Sequence, residues 1–179
     1  AMRMNPYENC PTYAAGRFLL RRVERADAEA LLPCYSDPRA VANMNDDNCT
    51  GDFHLTTLDQ MRACIDGWLE EFAQGRYVRF AAVDRTRDRA VGTVEIFGGE
   101  IGVLRVDLPV AYETKEALGE LLALAVKDMI RDFPMDRLYF KAGRSPARWD
   151  AALAQGFRSA EAFRPGKGYL EYYTGGKER

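Results

Sequence analysis

Three extended segments follow one another between residues 77 and 108, and no other feature of the sequence constrains the fold as strongly. The segments span residues 77–84, 91–97 and 101–108. Apolar residues recur at every second position in the first and third segments, which is typical of strands with one buried face. Only residues 85–90, with a turn at 85–89, and residues 98–100, with a turn at Gly98–Gly99, separate the segments. Connections this short join antiparallel neighbours. The sequence therefore predicts an antiparallel meander of three strands, the last ended by Pro109.

Helical patterns and further strands surround this meander. In chain order the sequence predicts a strand at 18–23, helices at 26–35 and 37–44, a helix at 57–74, the meander, a long helix at 114–133, a strand at 137–141, a helix at 146–155, and strands at 157–162 and 169–173. Two of the helix starts carry capping signals of their own. Thr57 and Gln60 have the spacing of a capping box, and Thr114 is the expected N-cap of the long helix.

Charge and composition narrow the class of protein. The chain has 25 basic and 27 acidic side chains, so its net charge of −2 provides no overall attraction to nucleic acid or to an anionic membrane. No run approaches the roughly 20 apolar residues of a membrane span. We therefore expect a cytoplasmic protein with a single domain at 17–174, an N-terminal arm at 1–16 and a C-terminal tail at 175–179.

The cysteines and the histidine predict no metal site. Cysteines stand at positions 10, 34, 49 and 64, none of them in a C-x-x-C pair, and His54 is the only histidine. Zinc sites need closer ligand pairs, and a chain of this length builds a core without a disulfide framework. We therefore expect reduced, structural cysteines and no bound metal.

Three phrases of the sequence, together with this element order, resemble a known family. They are Tyr35-Ser-Asp-Pro38, Val91-Gly-Thr-Val-Glu-Ile-Phe97 and Ser145-Pro-Ala-Arg-Trp-Asp-Ala-Ala-Leu-Ala-Gln-Gly-Phe157. The phrase at 91–97 resembles the "vGtigl" strand, and the phrase at 145–157 the "NpaSirvleklGF" helix and turn, of the GNAT superfamily of acetyl-CoA-dependent N-acyltransferases. Within it, the chain resembles the ribosomal-protein alanine N-acetyltransferases over nearly all of residues 17–174. The resemblance implies an α/β (α+β) fold, with a mixed, mostly antiparallel central sheet of about seven strands flanked by helices.

The resemblance also implies where acetyl-CoA would bind. In that fold the third meander strand separates from its neighbour, and the freed backbone groups, here those of Val106, Asp107 and Leu108, pair with the pantetheine arm. The next helix start then holds the pyrophosphate, because free N–H groups and the helix dipole favour an anion. The residues assigned to this contact are Glu113, Thr114, Lys115, Glu116, Ala117, Leu118 and Gly119, with Ser145 and Arg148 on the following helix. We expect the slot between the strands to be free of the protein's own side chains.

The pyrophosphate loop departs from the family motif. The motif Q/R-x-x-G-x-G/A uses glycines to bring the backbone close to the phosphates. Here Glu113 takes the Gln/Arg position, and Glu116 and Leu118 take the positions of the two glycines. The two carboxylates would repel a phosphate, and the positive charge of Lys115 only partly offsets this repulsion. Two interpretations stay open. The segment is either a coenzyme site without its glycines or simply a well-capped helix start, in which a first-turn glutamate is favourable in its own right.

Catalytic residues are less clearly marked. GNAT catalysis is a direct attack of an amine on the thioester, helped by a base and by an acid that is often a tyrosine. The candidate bases are Glu95, Glu100 and Asp107, and each also has the plainer interpretation of a solvated carboxylate. The family's tyrosine position is Ala152 here, so no acid is evident.

A polar loop after the second short helix stands where the family has its acceptor lid. Its candidate substrate contacts are Asn45, Asp46, Asp47 and His54. An acidic lid suits a cationic amine or a basic peptide N-terminus. The alternative is a surface loop, because Asn and Asp are common turn residues.

Two functional hypotheses follow. In the first, the protein is an N-acetyltransferase that moves an acetyl group from acetyl-CoA to a primary amine of a small molecule or a protein N-terminus. In the alternative, it is a catalytically impaired GNAT-fold protein that serves as a ligand-binding or protein-interaction module. The loop without glycines and the missing tyrosine favour this alternative. Under either hypothesis we expect a monomer or homodimer with no nucleic-acid or membrane partner.

Overall fold

Eight strands form one mixed sheet in the part of the chain that the computed structural model describes, residues 4–44 and 54–175. The strands are β1 (Tyr13–Ala15), β2 (Phe18–Arg22), β3 (Val78–Asp84), β4 (Arg89–Ile96), β5 (Ile101–Asp107), β6 (Arg137–Lys141), β7 (Arg158–Ser159) and β8 (Tyr169–Tyr173). Their order across the sheet is β1-β2-β3-β4-β5-β6-β8-β7. β5 and β6 run parallel, whereas the other neighbouring pairs run antiparallel. The predicted α/β (α+β) class with a mostly antiparallel sheet is confirmed.

Helices cover both faces of the sheet. They are α1 (Ala28–Tyr35), α2 (Pro38–Val41), α3 (Leu58–Ala73), α4 (Lys115–Leu124), α5 (Ile130–Asp132) and α6 (Pro146–Ala154), and a π-helical stretch at Ala125–Met129 joins α4 to α5. Side chains of α4 and α6 share one core with Phe80, and side chains of α1 and α3 share a second core with Ala81. Successive residues of β3 therefore point into different cores, as the period of two in a strand requires.

The predicted capping residues act as expected. The Thr57 side chain accepts a hydrogen bond from Gln60 N while Gln60 Oε1 accepts one from Thr57 N, which completes the capping box of α3. Thr114 Oγ1 accepts from Ala117 N at 3.1 Å at the start of α4. These local signals fix the positions where both helices begin.

The three-stranded meander is confirmed as β3, β4 and β5. β3 pairs with β4 from Val78 opposite Ile96 to Asp84 opposite Arg89. Gly92 makes the closest approach, because a Cβ atom there would lie only 2.1 Å from the carbonyl oxygen of Asp107. A glycine at this position lets β5 lie against β4 without a clash.

The N-terminal segment differs from the prediction. Residues 13–15 were expected to belong to an arm, but Tyr13–Ala15 form the edge strand β1, paired antiparallel with β2. The Tyr13 hydroxyl also donates to Asp132 at 2.6 Å. A strand of three residues is too short to show a periodic pattern, which explains why the predicted sheet of about seven strands has eight.

The sheet splits where β5 and β6 separate. Their parallel pairing runs from Ile101 opposite Arg137 to Leu104 opposite Phe140 and ends there. Beyond this point β5 pairs only with β4 in the described structure, while Ala142 N bonds to Gly168 O on the far side of β6. The two strands therefore diverge at their carboxyl ends, next to the start of α4.

Membrane spans and metal clusters are both absent from the described ranges. No helix in residues 4–44 and 54–175 is long and apolar enough to cross a membrane. Those same ranges contain no group of three or more His, Cys, Asp or Glu side chains arranged to hold a metal ion.

Candidate active site

The split between β5 and β6 is the feature that the resemblance predicts for a coenzyme slot, and it is present. Val106 lies at the end of β5 and Leu108 directly follows the strand, both beyond the last pair of β5 with β6. The helix α4 starts at Lys115 close behind it, and the first amides of a helix have no partner within the helix. A strand edge and a helix start therefore meet at one place.

The split is not empty, because Arg148 reaches into it from α6. Its Nη2 donates to the carbonyl oxygen of Val106 at 2.8 Å, and its guanidinium carbon lies 5.7 Å from the ring centre of Phe140 on β6. Nε and Nη2 also donate to the Glu113 carboxylate, at 3.1 Å and 2.5 Å. The expectation of a slot free of side chains is wrong, since an internal ion pair occupies it.

This ion pair is buried. The side chain of Arg148 is 2% exposed and that of Glu113 is 8% exposed. In the GNAT helix phrase "NpaSirvleklGF" a serine stands at the position of Arg148, and Glu113 takes the Gln/Arg position of the pyrophosphate motif. The two departures from the family therefore form a single charge-paired contact.

The other residues predicted for the pyrophosphate contact separate into two groups. Ala117 and Leu118 are buried in the core beneath α4, so their side chains face away from a phosphate. Lys115 and Glu116 lie at the helix start with much of their surface open to solvent. Glu116 therefore faces solvent, and only Glu113 carries a carboxylate into the split.

A shallow groove continues from this helix start between α4 and α6. Its volume is about 430 Å³, and its lining is Lys115, Glu116, Gly119, Glu120, Ala123, Ala151, Ala154 and Gln155. Small residues on both helices leave this space open. Gly119 lines the groove and lies beside Gln155, rather than in the split.

Two of the three candidate bases belong to a buried ionic network beneath α1 and α3. Arg79 donates to Glu95 at 2.6 Å and to Asp107 at 2.9 Å. The Tyr35 hydroxyl donates to the same Asp107 oxygen at 2.6 Å, and the Trp68 ring stacks 4.2 Å from the Arg79 guanidinium. Asp107 does point away from Leu104, Val106 and Leu108, as predicted, but it is neutralised by Arg79 instead of facing an open cleft.

Glu100, the third candidate base, lies at the opposite end of β5. It is exposed in the turn before Ile101, whereas the split begins after Leu104 and Asp107 ends the strand. A strand rises about 3.3 Å per residue, so the seven residues along β5 place Glu100 about 23 Å from Asp107. The structure therefore does not bring the three carboxylates together.

The Tyr35 hydroxyl and the Cys34 thiol, which lie near Asp107 at the end of β5, keep their protons. Burial, with the charge of Asp107 in second place, raises the pKa of Tyr35 well above its ordinary value. Burial likewise raises the pKa of the neighbouring Cys34 thiol, and the negative charges of Asp107 and Glu113 add to this. Neither group is a nucleophile at neutral pH in this state.

The predicted acceptor contacts are only partly covered by the structure. Asn45, Asp46 and Asp47 lie outside the described residues. His54 lies at the surface, with its Nε2 3.1 Å from the carbonyl oxygen of Ser36. Ser145 acts as the N-cap of α6, where its Oγ accepts from Arg148 N at 3.3 Å.

A basic concavity that the sequence patterns did not indicate lies beside the split. It has a volume of about 730 Å³ and is lined by Ala42, Asn43, Lys141, Gly143, Arg144, Ser145, Pro146, Glu161, Gly166, Lys167 and Gly168. We call it the basic pocket. Lys141 ends β6, Arg144 lies in the loop that follows it, and Lys167 lies in the loop before β8, so no local spacing reveals the three together. Gly166 and Gly168 in the second loop are a signal that could have indicated a close approach of chains there.

Comparison with solved structures defines the class of the fold. Structures that match this chain over almost its whole length are GNAT acetyltransferases, so the chain has the GNAT N-acetyltransferase fold. Neither a protein-family model nor a curated protein matches the sequence.

Several of these structures are ribosomal-protein acetyltransferases. RimJ from Mycobacterium smegmatis, in complex with CoA-disulfide, has a TM-score of 0.76 at 13% identity over 98% of this chain and 93% of its own. Ribosomal-protein-S5-alanine acetyltransferase from Vibrio fischeri has a TM-score of 0.71 at 13% identity over 94% and 98%. RimL, a ribosomal L7/L12 α-N-protein acetyltransferase in complex with coenzyme A, has a TM-score of 0.70 at 11% identity over 91% and 98%. The similarity at these identities is one of fold.

Proposed function

We propose that this protein is an N-acetyltransferase that uses acetyl-CoA and acts on a primary amine. The observation that carries the proposal is the end of β5–β6 pairing at Leu104 and Phe140, directly beside the start of α4. Backbone groups released at such a split can pair with an extended ligand as a neighbouring strand would. RimJ and RimL, which share this fold, were solved with coenzyme A bound.

The split would hold the pantetheine arm of the coenzyme, and the start of α4 its pyrophosphate, once Arg148 turns away from Val106. The start of α4 offers unpaired amides to an anion, and a guanidinium suits a phosphate group in bidentate geometry. Glu113 opposes the ligand, because its negative charge would face the phosphates. In this proposal Arg148 exchanges the Glu113 carboxylate for the pyrophosphate, which leaves the Val106 carbonyl to the coenzyme.

The groove between α4 and α6 is the proposed position of the nucleotide end. It begins at Lys115 and Glu116 and continues past Gly119 to Gln155. Lys115 lines its mouth and supplies a positive charge beside the helix start. A side chain larger than glycine at residue 119 would narrow this groove.

Bound acetyl-CoA would supply an activated thioester. The amine nitrogen would attack the thioester carbonyl carbon as the carbon–sulfur bond breaks. The nitrogen would give up one proton and the departing thiolate would take one up from solvent, so that an amide and the coenzyme thiol result. Because Glu95 and Asp107 are paired with Arg79, we propose that solvent takes the amine proton. The rate of transfer then rises with pH until the acceptor amine is deprotonated.

Calorimetry and thiol release test this proposal together. We expect saturable binding of acetyl-CoA, and release of thiol only when both acetyl-CoA and an amine from a panel are present. Glu100→Gln is the control, because Glu100 lies at the far end of β5 and should leave both measurements unchanged. Absence of saturable binding up to about 1 mM, the weak end of specific affinity, would refute the proposal and favour the ligand-binding module.

A further inference from the structure

The basic pocket has walls that are joined by specific bonds. Ala142 N and Gly143 N both donate to the carbonyl oxygen of Gly168, at 2.9 Å and 3.1 Å. Trp149 Nε1 donates to Gly143 O at 2.8 Å. Gly168 has a φ of +77°, and a Cβ atom there would lie 2.6 Å from the carbonyl oxygen of Gly143. The loop after β6 and the loop before β8 are therefore held against each other in one arrangement.

The charges of this pocket are unbalanced. Lys141, Arg144 and Lys167 line it, and Glu161 carries the one carboxylate among its described lining residues. Glu161 Oε1 accepts a hydrogen bond from Gly166 N at 2.9 Å, so it holds its own loop. Among residues 4–44 and 54–175, neither Arg144 nor Lys167 forms an ion pair. A protein with a net charge of −2 thus concentrates positive charge in one concavity.

The pocket adjoins the split. Lys141 follows Phe140, the residue at which β5–β6 pairing ends. Ser145 lines the pocket and caps α6, the helix that carries Arg148. A molecule in the pocket would therefore have one end at the mouth of the split.

We propose that the basic pocket binds the anionic group of the acceptor, so that the preferred acceptor is a primary amine that also carries a carboxylate or a phosphate. This inference rests on the proposed acetyltransferase function. The volume of about 730 Å³ suits a small molecule, because ligand pockets commonly measure about 300–1,000 Å³. The hypothesis of a cationic acceptor rested on Asp46 and Asp47, which lie outside the described residues, whereas the described lining is positive.

Matched acceptor pairs test the inference. Phosphoethanolamine is compared with ethanolamine, and β-alanine with β-alaninamide, by thiol release from acetyl-CoA. We expect the anionic member of each pair to have the higher kcat/KM. Arg144→Gln and Lys167→Gln should each lower kcat/KM for the anionic member by about tenfold, the effect of one charge-assisted hydrogen bond, and should leave the neutral member within about twofold. Lys127→Gln removes an exposed lysine that does not line the pocket and should change neither.

A comparison with peptides shows whether the anionic acceptor is a small molecule or a protein N-terminus. A tetrapeptide with acidic residues after its N-terminal amine is compared with its lysine counterpart. Preference for the acidic peptide over both small anionic amines would assign the pocket to a protein N-terminus with acidic neighbours, and the inference would stand. Preference for neutral or cationic acceptors, or equal kcat/KM in wild type and both pocket variants, would overturn it.

Failure of the acetyltransferase proposal remains distinguishable from failure of this inference. Acetyl-CoA affinity is measured by calorimetry in the same variants and should be unchanged, because Arg144 and Lys167 lie outside the split. If acetyl-CoA does not bind, the acetyltransferase proposal fails. Direct titration with phosphoethanolamine then still tests whether the pocket binds an anionic group. Binding that Arg144→Gln weakens would support the inference. Equal binding by wild type and variant, or no binding, would overturn it.

Discussion

Replacing Glu113 by glutamine tests whether the ion pair in the split closes the coenzyme site. The substitution keeps the size of the side chain and removes its charge. Arg148, at 2% exposed, would keep its bond to the Val106 carbonyl but lose its counter-charge. Removing one partner of a buried pair costs about 3–5 kcal/mol. We expect Glu113→Gln to lower the free energy of unfolding by about 3 kcal/mol, because the amide oxygen still accepts one hydrogen bond.

The same substitution should strengthen coenzyme binding. In the wild type, acetyl-CoA has to separate Arg148 from Glu113, whereas in the variant the pyrophosphate supplies the charge that Arg148 lacks. We expect acetyl-CoA affinity to rise by at least about tenfold, which corresponds to about 1.4 kcal/mol. A variant that is less stable alone and binds its ligand more tightly is the specific outcome of a displaced ion pair.

Urea unfolding and calorimetry measure the two effects on the same protein. Glu171→Gln is the matched control, since it removes the half-exposed pair with Arg137 at the opposite end of β6 and should cost at most about 1 kcal/mol with no change in affinity. Arg148→Met removes the cation and should weaken acetyl-CoA binding. Unchanged acetyl-CoA affinity in both Glu113→Gln and Arg148→Met would refute the reasoning, because the pair would then lie outside the path of the coenzyme.

Three further predictions concern the surrounding structure. Tyr35→Phe removes the hydroxyl that donates to Asp107 at 2.6 Å, and should cost about 1–3 kcal/mol in urea unfolding while leaving acetyl-CoA affinity unchanged. Thr57→Ala removes the N-cap of α3 and should cost about 1 kcal/mol by the same measurement, whereas an unchanged midpoint would contradict the capping role. The hydrogen bond from Tyr112 lowers the pKa of Asp84 in the folded state below its ordinary value of 3.8, so this carboxylate adds stability above that value and loses it as the pH falls through the folded pKa. Tyr112→Phe should therefore flatten the acid limb of the stability–pH curve, and equal slopes in both proteins would contradict this.

Local signals account for the parts of the fold that could be predicted. Thr57 and Thr114 begin their helices where the sequence predicts, because a cap needs only residues within the first turn. The meander could be predicted because only two short connections join its three strands. Strand β1 was missed, since three residues have no measurable period and its pairing with β2 is what makes it a strand.

The candidate site was predictable only up to its backbone. The helix start follows from its capping residue, and the split is implied by the resemblance to the GNAT superfamily, but neither indicates the occupant of the split. Glu113 and Arg148 are 35 residues apart, and the sequence shows only that each replaces a family residue, not that they pair. The bonds from Arg79 and Tyr35 to Asp107 could not be predicted for the same reason, because the three residues lie on separate elements that meet only in the folded chain.

A crystal structure of the protein with coenzyme A bound is the most direct measurement of the central claim. We expect pantetheine against Val106 at the end of β5. We also expect the Arg148 guanidinium, now 2.8 Å from the Val106 carbonyl oxygen, to have turned to the pyrophosphate. An intact bond between Arg148 and Glu113, with no coenzyme between β5 and β6, would contradict it.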